Sequence, residues 1–232
     1  AGSSPGVLPE VVASEDGFET VETETPISTL AIGEDPDDAA CVGDNLVVVS
    51  QDSTSLHYAD LDDLLNGVAV WAEVTTGFVA TKGPRAIDNF GPFDVFFGGA
   101  GGYIYYSQDP TSGVSVLDAG VATTQDINDI YAFSAAVVIA VGNSNAVVYA
   151  LDGSTFQSVT GPAVGIALNA VYARTEREWW VGTADGKLYY TRDRGVNWTE
   201  KAFPGSGTGT VDDIVFASNM VGFIAHATAT PS

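Results

Sequence analysis

Apolar runs recur along this chain with a period of about 42 residues, and that spacing limits the fold more than any single motif does. Gly98, Gly142 and Gly182 each close an apolar run, over residues 93–97, 136–141 and 178–181, at spacings of 44 and 40. Asp109, Asp152 and Asp193 each follow a second, aromatic-rich run, at spacings of 43 and 41. Ile130, Val171 and Ile214 open units within residues 128–132, 169–173 and 212–216, at spacings of 41 and 43. Three series with one period predict a tandem array of a single supersecondary unit.

Each unit reads as four short strands. They are rich in β-branched and aromatic residues and are separated by Gly, Asp, Asn and Ser, and no window shows a helical period. One helical turn fits residues 60–66. The fourth strand opens on Trp71, Leu117, Phe156 or Trp198 in successive units. A unit of this length and strand count fits a β-propeller blade. Whole units span 36–81, 82–125, 126–167 and 168–210; the first is the loosest, with Ser50 where the others have Gly. Residues 211–232 hold only two strands. Phe18–Glu24 and Pro26–Ile32 offer two more, so residues 16–35 would complete the last blade. The expectation is therefore an all-β propeller over residues 16–232. It has five blades of four antiparallel strands, the last closed by N-terminal strands. The alternative is a piece of a longer propeller. Residues 1–15, rich in Gly, Ser, Pro and Ala, read as a flexible arm that anchors the domain.

The best-formed turn is Thr191-Arg-Asp-Arg-Gly-Val-Asn-Trp198. It resembles the Asp-box (BNR-type) repeat of sialidase-like and photosystem-assembly-factor-like propellers. In those families the motif lies away from the catalytic face. The resemblance therefore implies structural roles for Thr191, Asp193, Gly195 and Trp198. Ser107 with Asp109, and Asp152, mark degenerate copies. Sialidase chemistry needs three arginines around a carboxylate, a Tyr–Glu nucleophile pair and an acid/base Asp. Of Arg85, Arg174, Arg177, Arg192 and Arg194, two lie inside the motif and two share one loop, so a convergent triad is hard to assemble. No residue is assigned a catalytic role, and the chain is expected not to be an enzyme. Photosystem assembly factors bind through arginine-rich patches, and the acidity of this chain argues against carrying that role over.

Thirty acids against eight bases give a net charge of −22. Such a surface repels nucleic acid and anionic membranes, and no run of 18 apolar residues offers a membrane span. The single cysteine, Cys41, excludes an internal disulfide and reads as a buried small hydrophobe within Ala39–Val42. The acidic clusters at 34–38 and 60–63 match no calcium loop, and His57 and His226 lack ligand spacing, so neither metal nor cofactor is expected. Gly98–Gly102 lacks the Lys of a phosphate loop and reads as a tight turn. The sequon at Asn197 falls inside the Asp-box turn and reads as coincidental. Tyr103, Tyr105, Tyr106, Trp179, Trp180, Tyr189 and Tyr190 are expected mainly between blades, with those near the rim open to a sugar or a protein. No initiator Met is present, and the expectation is that upstream sequence was processed away or left out. The function these features fit is a non-catalytic structural or recognition module of an extracellular or virion assembly. In a phage that means a tail, fibre or capsid-surface part. Its partners would be proteins, symmetric copies among them, or a glycan. The alternative is a secreted glycan-binding or glycan-hydrolysing propeller.

Overall fold

Short β-branched and aromatic runs between Gly, Asn and Asp turns leave the chain little choice but hairpins, and the computed structural model is built of them. It describes residues 10–13, 23–31 and 34–227. β1 (Glu10–Ala13) pairs antiparallel with β2 (Thr23–Pro26). The first four-stranded sheet is β3 (Asp38–Val42), β4 (Asn45–Val49), β5 (Leu56–Asp60) and β6 (Ala72–Val74). The second is β7 (Pro84–Phe90), β8 (Asp94–Gly99), β9 (Tyr103–Ser107) and β10 (Ser115–Ala119). The third is β11 (Ile127–Ala132), β12 (Val138–Gly142), β13 (Ala146–Ala150) and β14 (Gln157–Thr160). The fourth is β15 (Leu168–Ala173), β16 (Trp179–Thr183), β17 (Leu188–Thr191) and β18 (Thr199–Glu200). β19 (Thr210–Phe216) and β20 (Gly222–Ala227) form a final hairpin. In every four-stranded sheet the spatial order follows the chain, so each is an antiparallel meander. Between β5 and β6 lies α1 (Leu61–Leu65), the helical turn expected there; Asp60 caps it by accepting from the Asp62 and Asp63 N–H groups.

The chain divides into two compact units, residues 1–97 with 105–116, and residues 98–104 with 117–232. In the first, Ile27 and Leu30 pack on Val48, Leu64 and Trp71. Phe78 meets Phe97 and Tyr105 edge-on. In the second, β12 is buried along its whole length. Its Ile139 and Val141 join Val147, Leu168, Val171, Trp179 and Val181 in one apolar cluster. Burial of both faces explains why β12 reads as a continuous apolar run rather than an alternation. The recurrent strand-end glycines follow from crowding. A Cβ on Gly142 would lie 2.0 Å from the Asp126 carbonyl oxygen, and one on Gly182 would lie 2.4 Å from Val211 Cγ1.

A repeated carboxylate links consecutive sheets. β3, β7, β11 and β15 are edge strands, so alternate N–H groups point away from their own ladders. Asp129 on β11 accepts from the Ile130 N–H through Oδ1 (2.8 Å) and from the Val171 N–H of β15 through Oδ2 (2.6 Å). Asp38 does the same, accepting from the Ala39 N–H (2.8 Å) and from the Ile87 N–H of β7 (2.9 Å). The Asp129 position follows a register shift in β11, and β15 and β19 shift at the corresponding place.

Three expectations change at this level. Residues 10–13 of the expected arm are strand; the rest of that arm lies outside the described residues. A strand over 26–32 does not form. Pro26 ends β2, and a turn follows in which the Leu30 N–H donates to the Ile27 carbonyl. Residues 18–22 and 32 lie outside the described residues, and β1–β2 and β19–β20 are separate two-stranded sheets rather than one. Cys41 is exposed, because β3 alternates its faces and Val42 takes the buried side.

Two outcomes follow from these contacts. Asp129→Ala leaves the Val171 N–H without its charged acceptor and should lower unfolding free energy by about 1.5–3 kcal/mol, measured by chemical denaturation. His57 is buried, with Nδ1 2.8 Å from Thr29 Oγ1. Burial holds its imidazole below the ordinary 6.5, against the opposing pull of Glu73 and Glu34. The unfolded chain therefore binds the proton more readily, so stability falls as pH drops below 6.5. His57→Gln should flatten that part of the pH–stability profile; an unchanged slope would assign the acid sensitivity to other groups.

Candidate functional site: aspartate turns and an aromatic ladder

Three aspartate turns were picked out by sequence, and each is a closed hydrogen-bonding unit. At the turn after β17, Thr191 Oγ1 donates to Asp193 Oδ1 (2.8 Å) and accepts from the Gly195 N–H (2.9 Å). Asp193 Oδ1 also accepts from the Asn197 N–H (2.8 Å), and its Oδ2 from Asn197 Nδ2 (2.7 Å). The Asn197 amide is thus a turn partner of Asp193. Gly195 has φ +81°, and a Cβ there would lie 2.7 Å from Val159 Cγ1. Trp198 Nε1 donates to the Thr160 carbonyl at the end of β14 (2.9 Å), which ties the turn to the preceding sheet. After β9, Ser107 Oγ donates to the Gly113 carbonyl (2.6 Å) and accepts from the Asp109 N–H (3.1 Å). Asp109 in turn accepts from the Thr111 and Ser112 hydroxyls, both at 2.6 Å. Asp152 accepts from the N–H groups of Ser154 (2.9 Å) and Thr155 (2.7 Å).

The same bonds set the acidities. Thr155 and Ser154 hold Asp152 down at about 2. Asn197 lowers Asp193, and Ser112 and Thr111 lower Asp109. These groups need their charge to keep the turns, which suits anchoring and not proton transfer at neutral pH.

Sequence reasoning did not find the second feature, which lies wholly within the second unit. Five rings form a continuous ladder. Tyr131 meets Tyr172 (centroids 4.5 Å apart), Tyr172 meets Phe216 (5.2 Å), Phe216 meets Trp180 (5.4 Å), and Trp180 stacks on Tyr190 (4.9 Å). The Arg174 guanidinium lies over Phe216 and that of Arg192 over Tyr190, both at 5.2 Å. Glu178 binds the two cations together: Arg174 Nη1 at 2.7 Å, Arg192 Nε at 3.8 Å, and Trp180 Nε1 at 3.2 Å. The Arg174 and Glu178 side chains are largely buried, whereas that of Arg192 is 69% exposed. Phe216 borders a hollow on each side. One, of about 180 Å³, takes Tyr131, Tyr172, Arg174 and Asn219 into its wall. The other, of about 280 Å³, takes Trp180, Leu188, Phe203 and Phe223. The sequence did carry a signal: Tyr131 and Tyr172 occupy equivalent positions of Asn128–Ala132 and Asn169–Ala173. Trp180 and Tyr190 were singled out and pair across β16 and β17, but Phe216, which joins them to the rest of the ladder, sits on another sheet.

Six of the eight bases fall in residues 174–201, the stretch that supplies Arg174, Trp180, Tyr190 and Arg192 to the ladder. Among the described residues no group of three or more His, Cys, Asp and Glu side chains is placed to hold a metal ion, and no helix is long and apolar enough to cross a membrane.

No protein-family model and no curated protein matches the chain. Solved structures do. Catalytically inactive virginiamycin B lyase from Staphylococcus aureus with quinupristin is similar at TM-score 0.68 and 12% identity, over 86% of this chain and 64% of the lyase. The extracellular domain of BT4673 from B. thetaiotaomicron is similar at TM-score 0.62 and 10% identity, over 85% of this chain and 27% of that one. YCF48 bound to D1 peptide gives TM-score 0.48 and 14% identity, over 96% of this chain and 84% of that one. The fold is a β-propeller. The four-stranded meanders are its blades, and at these identities the likeness extends to the fold alone.

The turn geometry makes a spectroscopic prediction. In a carboxylate-resolved NMR titration Asp152 should have a midpoint of about 2, and Asp109 and Asp193 midpoints below 3.8. Asp37, whose burial raises it, should titrate above 3.8. Gly195→Ala, forced into a positive φ against Val159, should cost about 1–2 kcal/mol. An ordinary midpoint for Asp193 would mean that its turn is open in solution.

Proposed function

We propose that this propeller is a non-catalytic recognition module of a larger protein assembly, extracellular or virion, and that its binding surface is the ladder from Tyr131 to Arg192. The observation that carries this reading is the Glu178 carboxylate. It occupies both Arg174 and Arg192 and takes the Trp180 N–H, which leaves a preorganised face of contacting rings and guanidinium groups. Aromatic and arginine side chains are the groups enriched where binding energy concentrates in protein interfaces. The same occupation argues against sialidase-type chemistry, because a substrate carboxylate would have to displace Glu178. On this reading Thr191, Asp193, Gly195 and Trp198 form a structural Asp box that braces the ladder blade, and Ser107, Asp109 and Asp152 brace the others. Binding to anionic membranes or nucleic acid is disfavoured by the −22 charge. A second reading, glycan binding, is favoured by the 180 Å³ hollow, whose Tyr131, Tyr172 and Phe216 walls suit a sugar ring.

The test starts with gentle isolation and electron microscopy of the native particle that contains the chain. Rebinding of the domain to stripped particles is then compared with Tyr190→Ala and Arg192→Ala variants. Each substitution should weaken rebinding by about tenfold or more. Full rebinding by both variants would remove the ladder as the interface. A free chain that binds a glycan array through Tyr172 would replace the assembly reading with the glycan one.

A further inference from the structure

One histidine ties the first four-stranded sheet to a segment that the sheet does not otherwise bond. β2 ends at Pro26, and residues 27–31 lie over one face of that sheet as a strap. The strap's backbone hydrogen bonds are its own: the Leu30 N–H donates to the Ile27 carbonyl (3.1 Å) and the Ala31 N–H to Glu34 Oε2 (2.8 Å). Side chains make the attachment. Ile27 and Leu30 are buried against Val48, Ala59, Leu64 and Trp71. Thr29 Oγ1 lies 2.8 Å from His57 Nδ1 on β5, and among the described residues that is the only hydrogen bond between strap and sheet. His57 is 1% exposed, with Nε2 3.4 Å from Ser55 Oγ. Val48 opposes it on β4 and Glu73 on β6, and Glu34, past the end of the strap, is the second carboxylate that acts on it.

We propose that His57 is a proton-operated latch: when its imidazole takes a proton, the strap over residues 27–31 lifts from the sheet while β3–β6 stay paired. The neutral ring suits its site. One nitrogen donates and the other accepts, and the Thr29 and Ser55 hydroxyls can serve either role. A charged ring in the same place is cut off from water, with two hydroxyls for partners and, among the described residues, no carboxylate at ion-pair distance. Glu73 and Glu34 favour the charged form, but burial outweighs them and holds the imidazole below the ordinary 6.5. Lifting the strap returns water to the ring and restores its ordinary acidity. Proton binding and lifting are therefore linked, and the lifted fraction rises by up to about tenfold per pH unit below 6.5. The strap yields first because it is the least attached part of the unit. Two apolar plugs and one hydrogen bond hold it, whereas β3–β6 share a continuous ladder. Lifting uncovers the apolar face of Val48, Leu64 and Trp71, where the buried Trp71 indole N–H has no partner among the described residues. The acid sensitivity of His57 is then a local release that precedes unfolding. No ladder residue takes part, so the latch and the proposed binding face can fail independently.

The experiment is amide exchange of the full chain at about pH 7.5 and about pH 5.0, corrected for intrinsic rates. Opening at Leu30 and Ala31 should rise by about tenfold or more on acidification, while the amides of β4 and β5 keep their protection. His57→Gln keeps a hydrogen-bonding group toward Thr29 and carries no charge, so its strap should stay closed at both values. Leu30→Ala removes one plug at every pH. In that variant the His57 imidazole, followed by NMR beside His226, the other histidine of the chain, should titrate closer to 6.5 than in the parent. Equal protection of the strap at both pH values overturns the proposal, and so does an acid response that survives His57→Gln. Loss of protection in β3–β6 together with the strap also overturns it, since the event would then be unfolding of the unit. Should His57→Gln fail to fold, the Leu30→Ala titration decides: a His57 midpoint unmoved from that of the parent overturns the latch.

Discussion

The blades depend on what happens to the backbone of their first strands. Each first strand is an edge, with N–H groups that its own sheet does not pair, and burying such groups between sheets without acceptors would cost roughly 1–3 kcal/mol apiece. The chain answers with carboxylates. Asp38 and Asp129 each bond their own strand through one oxygen and the next first strand through the other, at Ile87 and Val171. A charge-assisted bond of this kind is stronger than a ladder bond and fixes the height of one sheet against the next. It also explains the packing around it. Once β15 is held against β11, Val171 and Leu168 have to meet Val141 and Val147. Gly142 answers a different constraint, the Asp126 carbonyl at the start of its own sheet.

The aspartate turns work at the opposite end of the blade, by the same chemistry on a smaller scale. Each places a carboxylate where two or three N–H or O–H groups converge, which replaces the bonds that a tight turn takes from the ladder. Two of the turns add a tie between blades: at Asp193 the Trp198 indole N–H reaches the carbonyl of Thr160, and after Asp109 the Val114 N–H donates to the carbonyl of Thr76 (3.0 Å). Asp109 and Asp152 close their own turns with Ser and Thr partners. The turns therefore differ in reach rather than in internal design, and the best-formed motif belongs to the blade that carries most of the aromatic ladder.

Much of this could be read from the sequence, and the part that could not has a physical reason. Strand count and order within each blade followed from the 42-residue period, because a meander is local: each strand pairs with the next in the chain. The turn aspartates were equally legible, since their partners lie within five residues. The ladder was not, because Tyr131, Tyr172, Phe216 and Trp180 meet only after different sheets pack together. The linking aspartates were hidden in the same way, although Asp38, Asp129 and Asp213 recur at 91 and 84 residues, about two repeat periods. Asp213 keeps the self-bond to the Ile214 N–H (2.7 Å), while β15 has Ala170 at the matching place. An apolar stretch such as residues 39–42 reads as buried on both faces, but β3 has one face exposed and Cys41 lies on it. The N-terminal strands were misplaced for a related reason: residues 26–32 carry strand-forming side chains, but Ile27 and Leu30 are used as plugs over Leu64 and Trp71.

Charge gives the proposed ladder contact its logic. With thirty acids and eight bases, most of this surface discourages close approach by acidic neighbours and favours hydration. Association then has to occur where that field is weakest. The ladder in the second unit is such a place: Arg174 and Arg192 lie over its rings, and Glu178 pairs with both. Because that carboxylate is already occupied by two guanidinium groups and an indole N–H, the local charge is balanced within the ladder itself, and what it offers outward is ring faces and the exposed Arg192.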